Sequence, residues 1–246
     1  MIPPKWESLP EYMRNEKVKK YYDALKKRRI NLFFKRAFDI AVSFVLLIIL
    51  LPFIAIIALL IKLDSPGPVF YRQVRVTSLG KRFRIHKFRS MVTGADKVRS
   101  LTVKGDNRIT RIGKFIRKYR LDEVSQLIDV LAGNMTFVGT RPEIEKYVKE
   151  YSPEMYATLL LPAGVTSEAS IYYKDEAFLL DSADKNDADK IYTEKILPEK
   201  MAYNLSELTK TGVAHDIKIM FKTAFAVAGK SPKRTAAEKV KVKESV

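Results

Sequence analysis

Asp122 and Glu123 stand side by side in the most cation-rich part of the chain. Arg108, Arg111, Lys114, Arg117, Lys118, Arg120 and Arg141 surround them in sequence. Leu121, Val124, Leu127, Ile128 and Leu131 recur at helical spacing, and Gly133 is placed to end that helix. The pair therefore falls in a first turn, where unpaired N–H groups and a partial positive charge keep a carboxylate ionised. An ionised carboxylate can hold a divalent cation or attack phosphorus. Neighbouring helical side chains point about 100° apart, so the two need not share a task. Helix-dipole complementarity alone also produces such a pair. The dense positive charge around it favours the chemical reading, a phosphorylated substrate with Mg²⁺, with one carboxylate attacking or binding metal and the other beside it.

Two further segments could grip phosphate. In Phe137-Val138-Gly139-Thr140-Arg141-Pro142, glycine and proline flank a lone arginine on a stiff loop. Guanidinium binds phosphate oxygens bidentately, although a surface arginine in a turn looks the same in sequence. Lys87-Phe88-Arg89-Ser90-Met91 reads either as a phosphate-facing strand end or as a solvated edge.

The element that most constrains where these groups sit is the apolar run Ile40 to Ile61, whose only polar side chain is Ser43. It is long enough to cross a bilayer core of about 30 Å as a helix. Pro52 lies near its midpoint, where a helical hydrogen bond is lost. Lys35 and Arg36 precede the run, and Lys62, Arg72 and Arg75 follow it. A spanning helix should show a basic bias at one end only. A helix entering one leaflet, bending at Pro52 and returning satisfies both observations; a proline-kinked crossing is the alternative. From Ile40 to Leu51 the rise is roughly 18 Å, about half the bilayer. The run starts too far into the chain for a cleaved signal peptide.

The 246 residues carry a net charge of +17, with no cysteine and only two histidines. Disulfides and thiolate metal sites are excluded, and a histidine-based zinc site is disfavoured. The charge suits polyanions, and beside an apolar run it suits anionic membrane lipids best. No nucleic-acid recognition motif accompanies it.

We divide the chain into a basic lead (1–34), a membrane helix (35–64), a catalytic domain (65–229) and a basic tail (230–246). In the lead, Val18, Tyr21, Tyr22 and Leu25 mark one helical face, read as an interfacial amphipathic helix or a solvated one. Asp64 to Pro68 is a hard stop. Val69 to Val76 and Phe83 to Phe88 read as strands about a turn at Ser78-Leu79-Gly80-Lys81, a short β-hairpin. Residues 108–119 form a basic amphipathic helix. Residues 143–160 look helical, Pro162-Ala163-Gly164 breaks the chain, and 171–210 is helix-rich. Val213, Ile217, Met220, Phe221, Ala224 and Phe225 make a stripe that either packs in a core or lies at an interface. The tail is poor in large apolar residues and reads as disordered. The fold class expected is a helix-rich α+β domain with a re-entrant membrane hairpin and interfacial amphipathic helices.

In order along the chain come Lys35-Arg36-Ala37-Phe38-Asp39, Pro52, Gly67-Pro68-Val69-Phe70, Gln73, Arg75 and Lys87-Phe88-Arg89-Ser90-Met91. Asp106-Asn107-Arg108-Ile109-Thr110, Gly113, Leu121-Asp122-Glu123, Gln126-Leu127, Val130-Leu131-Ala132-Gly133 and Val138-Gly139-Thr140-Arg141-Pro142 follow. This series resembles the bacterial sugar transferases, the monotopic phosphoglycosyl transferases that begin glycan assembly on a lipid carrier. The resemblance implies a re-entrant helix broken at Pro52, on the cytoplasmic face of a bacterial inner membrane. It implies a UDP-sugar donor and a polyprenyl phosphate acceptor. Asp122 would be the nucleophile, Glu123 its dyad partner, Mg²⁺ the cofactor beside Asp122, and polyprenyl diphosphate-sugar and UMP the products. Arg141 and Arg117 are the first candidates for phosphate, with Arg108, Lys87 and Arg89 behind them. The sugar, the pathway and any homo-oligomer stay open.

The chain departs from that family's usual pattern at several points. Leu51 stands where serine often precedes the proline. Arg120 replaces a serine before the dyad, Val124-Ser125 replaces Leu-Pro, and Thr140 replaces Pro. A Gly-rich, Gln-containing loop is replaced by residues 162–170. These leave the chemistry intact and the sugar undefined. A competing reading is a non-enzymatic, membrane-anchored basic scaffold for acidic lipid or a protein partner.

Overall fold

The computed structural model describes residues 1–95, 106–173 and 189–229; the expected tail, 230–246, lies outside them. Helices dominate and the sheets are small. Helix α1 spans Glu16–Lys27, started by Asn15, whose side chain accepts the Val18 N–H. Helix α2 then runs from Arg29 to Asp64 with Pro52 inside it.

The hairpin expected after α2 is present. Strand β1 (Phe70–Tyr71) pairs antiparallel with β4 (Lys87–Phe88), and β2 (Val74–Val76) with β3 (Arg82–Arg84). Leu79 and Gly80 turn the chain with positive φ angles of 57° and 75°. Helix α3 (Arg111–Lys118) starts where the Thr110 hydroxyl accepts the Gly113 N–H at 3.0 Å. Gly113 is required there: a Cβ would sit 2.0 Å from the Ser90 carbonyl oxygen. A 3₁₀ turn, Leu121–Gln126, leads into α4 (Leu127–Leu131), and Gly133 at φ 83° closes that helix as expected.

Strand β5 (Met135–Val138) pairs with β6 (Ala163–Thr166) in parallel, Val138 opposite Thr166. The sequence reading had a loop and a chain break at these places. Between them, the helix expected over 143–160 is reduced to α5 (Glu145–Val148) and a 3₁₀ turn, Met155–Leu160. Helices α6 (Glu168–Tyr172), α7 (Leu197–Leu208) and α8 (Val213–Val227) complete the fold.

Within the lead, the apolar face of α1 packs against protein. Val18 and Leu25 are fully buried and Tyr22 nearly so, packed with Tyr147, Leu160, Leu197 and Met201 in the largest apolar cluster. Beyond α1 the lead still exposes Ile30, Phe33 and Phe34 beside its basic residues. The α8 stripe points mostly outward, with Met220 partly buried, and the buried face of the helix lies off it. Ile219 and Ala226 are buried, whereas Ile217, Phe221 and Phe225 are exposed.

Helix α2 lies along the domain on one stripe. Leu32, Lys35, Asp39 and Ser43 are buried, Leu46 and Leu50 pack beside α4 and β5, and Ile57 and Ile61 pack on Phe88 and Ile116. Those positions recur every three or four residues, one face of a helix. The opposite face exposes Phe44, Val45, Ile48, Ile49, Leu51, Ile56 and Leu59. By length and composition, α2 could cross a membrane. It continues through Pro52 as a single helix, where the sequence reading expected a hairpin.

Both ends of α2 are fastened to the same domain. At the N-terminal end Lys35 Nζ donates to the Val138 carbonyl at 3.1 Å and pairs with Asp216 on α8. Arg36 donates to the Val130 and Leu131 carbonyls at 2.7 and 3.1 Å, serving two open acceptors at the end of α4. Asp39 accepts from the Thr136 hydroxyl at 2.7 Å and the Phe137 N–H at 3.3 Å. At the other end Asp64 accepts the Ile112 N–H at 3.0 Å. Arg89 donates to the Ile61 and Ser65 carbonyls at 3.3 and 2.7 Å and also reaches Pro66.

Candidate active site

The dyad sits on the 3₁₀ turn Leu121–Gln126, entered through Arg120 in the left-handed region at φ 56°. A non-glycine residue holds that conformation at a cost of about 1 kcal/mol or more, so the surroundings must enforce it. Asp122 is buried, and its Oδ2 lies 2.8 Å from Lys87 Nζ. Its Oδ1 is buried with no hydrogen-bond partner among the described residues. Such an oxygen carries a desolvation cost unless something outside the described chain meets it.

Glu123 Oε1 accepts from Arg141 Nη2 at 2.6 Å, with Arg120 Nη1 at 3.7 Å and Lys87 Nζ at 3.8 Å. Burial pushes the Glu123 carboxyl up, but Arg141, Lys87 and Arg120 together outweigh it and hold it down at about 2. Glu123 in turn holds the Arg141 guanidinium protonated, above its ordinary range, against burial.

Lys87 reaches the dyad because β4 is pinned to α4. Asp129, itself buried, accepts the His86 N–H at 2.7 Å and faces His86 Nδ1 at 2.8 Å. Ser125 donates to the His86 carbonyl at 3.0 Å. Arg141 follows β5 in a loop fixed from both sides. The Gly139 N–H donates to the Thr166 carbonyl at 3.0 Å and the Gly164 N–H to the Thr140 carbonyl at 2.8 Å. Gly164 and Gly139 meet backbone to backbone, where a Cβ on Gly164 would lie 2.2 Å from Gly139 N. Behind them Glu143 accepts from Tyr192 at 2.6 Å and pairs with Lys200 at 3.4 Å, while Arg75 donates to the Pro142 carbonyl at 3.1 Å. Burial opposes Glu143 ionisation, yet Lys200, Arg75 and the Tyr192 hydrogen bond keep its carboxyl below the usual range.

These groups open onto a cavity of about 620 Å³. Lys87, Arg117 and Arg141, expected from sequence, line it with both dyad members; Lys118 and Arg120 line it as well. Arg120 escaped selection as a site residue because it reads as a lost helix cap. Arg89 and Arg108 do not line the cavity. The Arg89 guanidinium is held by carbonyls at the C-terminal end of α2, and Arg108 is paired with Asp106 at 2.5 Å and with the Ala95 carbonyl at 2.6 Å. Leu46 and Leu50 of α2 and Val227 of α8 give the cavity an apolar wall.

Among the described residues no group of three or more His, Cys, Asp or Glu side chains could cage a metal alone. Mg²⁺ does not need one: one or two carboxylates with substrate phosphates and water suffice. The unpartnered Asp122 Oδ1 fits that donor set.

The bacterial sugar transferase family matches residues 30–230. UDP-glucose:undecaprenyl-phosphate glucose-1-phosphate transferase of Escherichia coli (strain K12) is 34% identical over 201 residues, 80% of this chain and 40% of that protein. Undecaprenyl-phosphate galactose phosphotransferase of Salmonella typhimurium is 32% identical over 216 residues, 81% of this chain and 41% of that protein. UDP-N-acetylgalactosamine-undecaprenyl-phosphate N-acetylgalactosaminephosphotransferase of Aeromonas hydrophila is 38% identical over 146 residues, 57% of this chain and 34% of that protein. The chain thus spans well under half the length of these relatives.

Proposed function

This chain belongs to the bacterial sugar transferase family, and from that premise we propose that it moves a sugar-1-phosphate from a UDP-sugar to polyprenyl phosphate. The observation that carries the reading is the pairing of a buried Asp122 with a ring of cations, in one cavity whose far wall is the membrane-type helix α2.

The Asp122 carboxylate attacks the β-phosphorus of the UDP-sugar. The bond from that phosphorus to the bridging oxygen breaks, and UMP leaves. A phosphate oxygen of the polyprenyl carrier then attacks the phosphosugar on Asp122. The acyl-phosphate bond breaks, giving polyprenyl diphosphate-sugar and restoring the carboxylate. Lys87 and Arg141 meet charge on the transferred phosphoryl group, and Arg117 and Arg120 extend the positive field along the cavity. A carboxyl held at about 2 is a weak base at neutral pH. Glu123 therefore organises Arg141 and Lys87. Mg²⁺, held by Asp122 and the diphosphate, would supply charge neutralisation to the leaving UMP.

The membrane placement rests on the two fastenings of α2. A 36-residue helix is about 54 Å long if straight, more than a bilayer core needs. With both ends tied to one domain, both lie on the same side, so α2 rests along the domain in the cytoplasmic leaflet with its exposed apolar face in lipid. Ile217, Phe221 and Phe225 on α8 and Phe115 and Tyr119 beside α3 add exposed apolar surface for the interface.

The chemistry is tested by incubating the protein with labelled UDP-sugars, Mg²⁺ and undecaprenyl phosphate. UMP and lipid-linked label should appear together. Without the lipid, label should remain on Asp122; label on another residue would overturn the mechanism. For placement, cysteines introduced near residues 30 and 80 should both resist an impermeant thiol reagent added outside cells, and labelling of one alone would mean a crossing.

A further inference from the structure

The cavity is divided by element. Its charged lining comes from β4, α3, the 3₁₀ turn and the Arg141 loop, whereas everything contributed by β6, α6 and α8 is uncharged. Polar atoms in that second half come from three hydroxyl residues, Thr166, Ser170 and Thr223. A UDP-sugar is divided in the same way, into a charged diphosphate and neutral ends. We infer that Thr166, with Ser170 and Thr223, forms the subsite that reads the hydroxyl pattern of the donor sugar. This rests on the proposed transferase reading.

Three observations carry it. First, the wall is fixed. The Thr166 carbonyl is bonded to Gly139 in the Arg141 loop at 3.0 Å, and Lys222 ties α8 to Glu168 of α6 at 2.7 Å. The hydroxyls are therefore held at a set position relative to the phosphate-binding groups, as sugar discrimination requires. Second, the protons are ordered. The Thr223 hydroxyl donates to the Ile219 carbonyl at 2.8 Å, so across the 2.8 Å contact with Thr166 it accepts. Thr166 has then given its one proton to Thr223 and keeps lone pairs to accept from a sugar hydroxyl. Third, no aromatic side chain among the described residues lines this cavity. A uracil ring would find nothing to stack on there, whereas a pyranose needs only hydrogen-bond partners and apolar contact.

The test compares kcat/KM for UDP-glucose, UDP-galactose and UDP-N-acetylgalactosamine in wild type, Thr166→Val, Thr166→Ser and Ser170→Ala, together with inhibition by UMP. Thr166→Val keeps the shape and removes the acceptor. Its ratio of best to second sugar should fall roughly three- to tenfold, the range for one neutral hydrogen bond. Thr166→Ser should restore the ratio, and UMP inhibition should be unchanged in all variants. Ser170→Ala keeps the test decisive if Thr166→Val folds poorly, since it too should change the ratio. Unchanged ratios in an active Ser170→Ala and Thr166→Val would overturn the subsite. Weaker UMP binding with unchanged ratios would assign the wall to the nucleotide. If the wild type releases UMP from no UDP-sugar, the transferase reading itself fails and the subsite falls with it.

Discussion

Replacing Arg141 with glutamine removes the cation nearest Glu123 while keeping similar bulk. The guanidinium is 2.6 Å from Glu123 Oε1, against 3.7 Å for Arg120 and 3.8 Å for Lys87. Burial raises the Glu123 carboxyl and the three cations, Arg141 foremost, lower it from 4.5 to about 2. That depression corresponds to about 3 kcal/mol in favour of the ionised form, at about 1.4 kcal/mol per unit. Arg141 is 32% exposed, so solvent screens part of its contribution. About 2 kcal/mol is a reasonable share for it. The sign follows from linkage. A depressed folded-state pKa stabilises fully above 4.5 and is lost as pH falls towards about 2. Without Arg141, burial moves the carboxyl up, and the variant takes up its proton at a higher pH than wild type. The stability gap should be widest near neutrality and narrow on acidification. About 1 kcal/mol shifts Tm by about 2–4 °C for a chain of this size, so the gap at about pH 7 should be about 4–8 °C. Thermal unfolding in detergent or vesicles at about pH 7 and about pH 2.5, between the variant's and the wild type's folded-state values, measures it. A gap of the same size at both would refute the electrostatic account of the dyad. Turnover should fall as well, by the ~1.5–3 kcal/mol typical of a charge-assisted bond.

Asp122→Asn preserves shape and removes the nucleophile; turnover should drop by several orders of magnitude, and no phosphosugar should be trapped on the protein when the lipid is withheld. Glu123→Gln should still trap some, because the residue organises cations. Burial pushes Asp216 up to about 6 from 3.8 despite Lys35, so the folded state holds that proton more tightly and stability should fall as pH rises from 3.8 to about 6; Asp216→Asn should flatten that slope. Gly164→Ala puts a methyl against Gly139 and should cost about 1–3 kcal/mol in unfolding titrations while weakening the Arg141 loop. Deleting residues 1–27 should lower Tm at every salt concentration, since Val18 and Leu25 belong to the core; a purely salt-dependent effect would contradict the packing of α1.

Local signals were readable where local physics decides. The apolar run, the β1–β4 hairpin region, the helix following Thr110 and the closure at Gly133 depend on nearby residues, and so does the dyad's place at a helical start. Long-range pairing was not readable. Strands β5 and β6 are four residues each and lie far apart in sequence, and Gly164 within β6 and the glycines and prolines flanking both strands signal loops when seen alone. Amphipathic spacing reveals that a face is covered but not by what; α1 shows the spacing expected of an interfacial helix and is covered by protein. In α8 the apparent stripe is the outward face, with Ile217, Phe221 and Phe225 exposed, while Ile219, outside that stripe, points inward. Charge counts likewise reveal a basic field without saying which guanidiniums are engaged. Arg89 caps α2 and Arg108 holds Asp106, leaving Arg117, Arg120 and Arg141 on the cavity. Arg120 carried one clue in sequence, a cation at a position usually filled by serine.

The fastening of α2 has a consequence for how the protein is made. Lys35 meets Val138, 103 residues later, and Asp216, 181 residues later. At about 5–20 residues per second, a ribosome needs roughly 10–40 s to deliver the second partner after the first residue has been joined. Until α3, α4 and β5 have emerged, the most apolar segment of the chain lacks most of the protein it lies against, and its outer face has none at any stage. On the placement proposed above, lipid must shelter it first, and the domain then assembles around a helix already at rest in the leaflet. Cell-free synthesis should therefore give aggregate in plain buffer and folded protein when vesicles are present from the start. Vesicles added only after chain completion should rescue little of it.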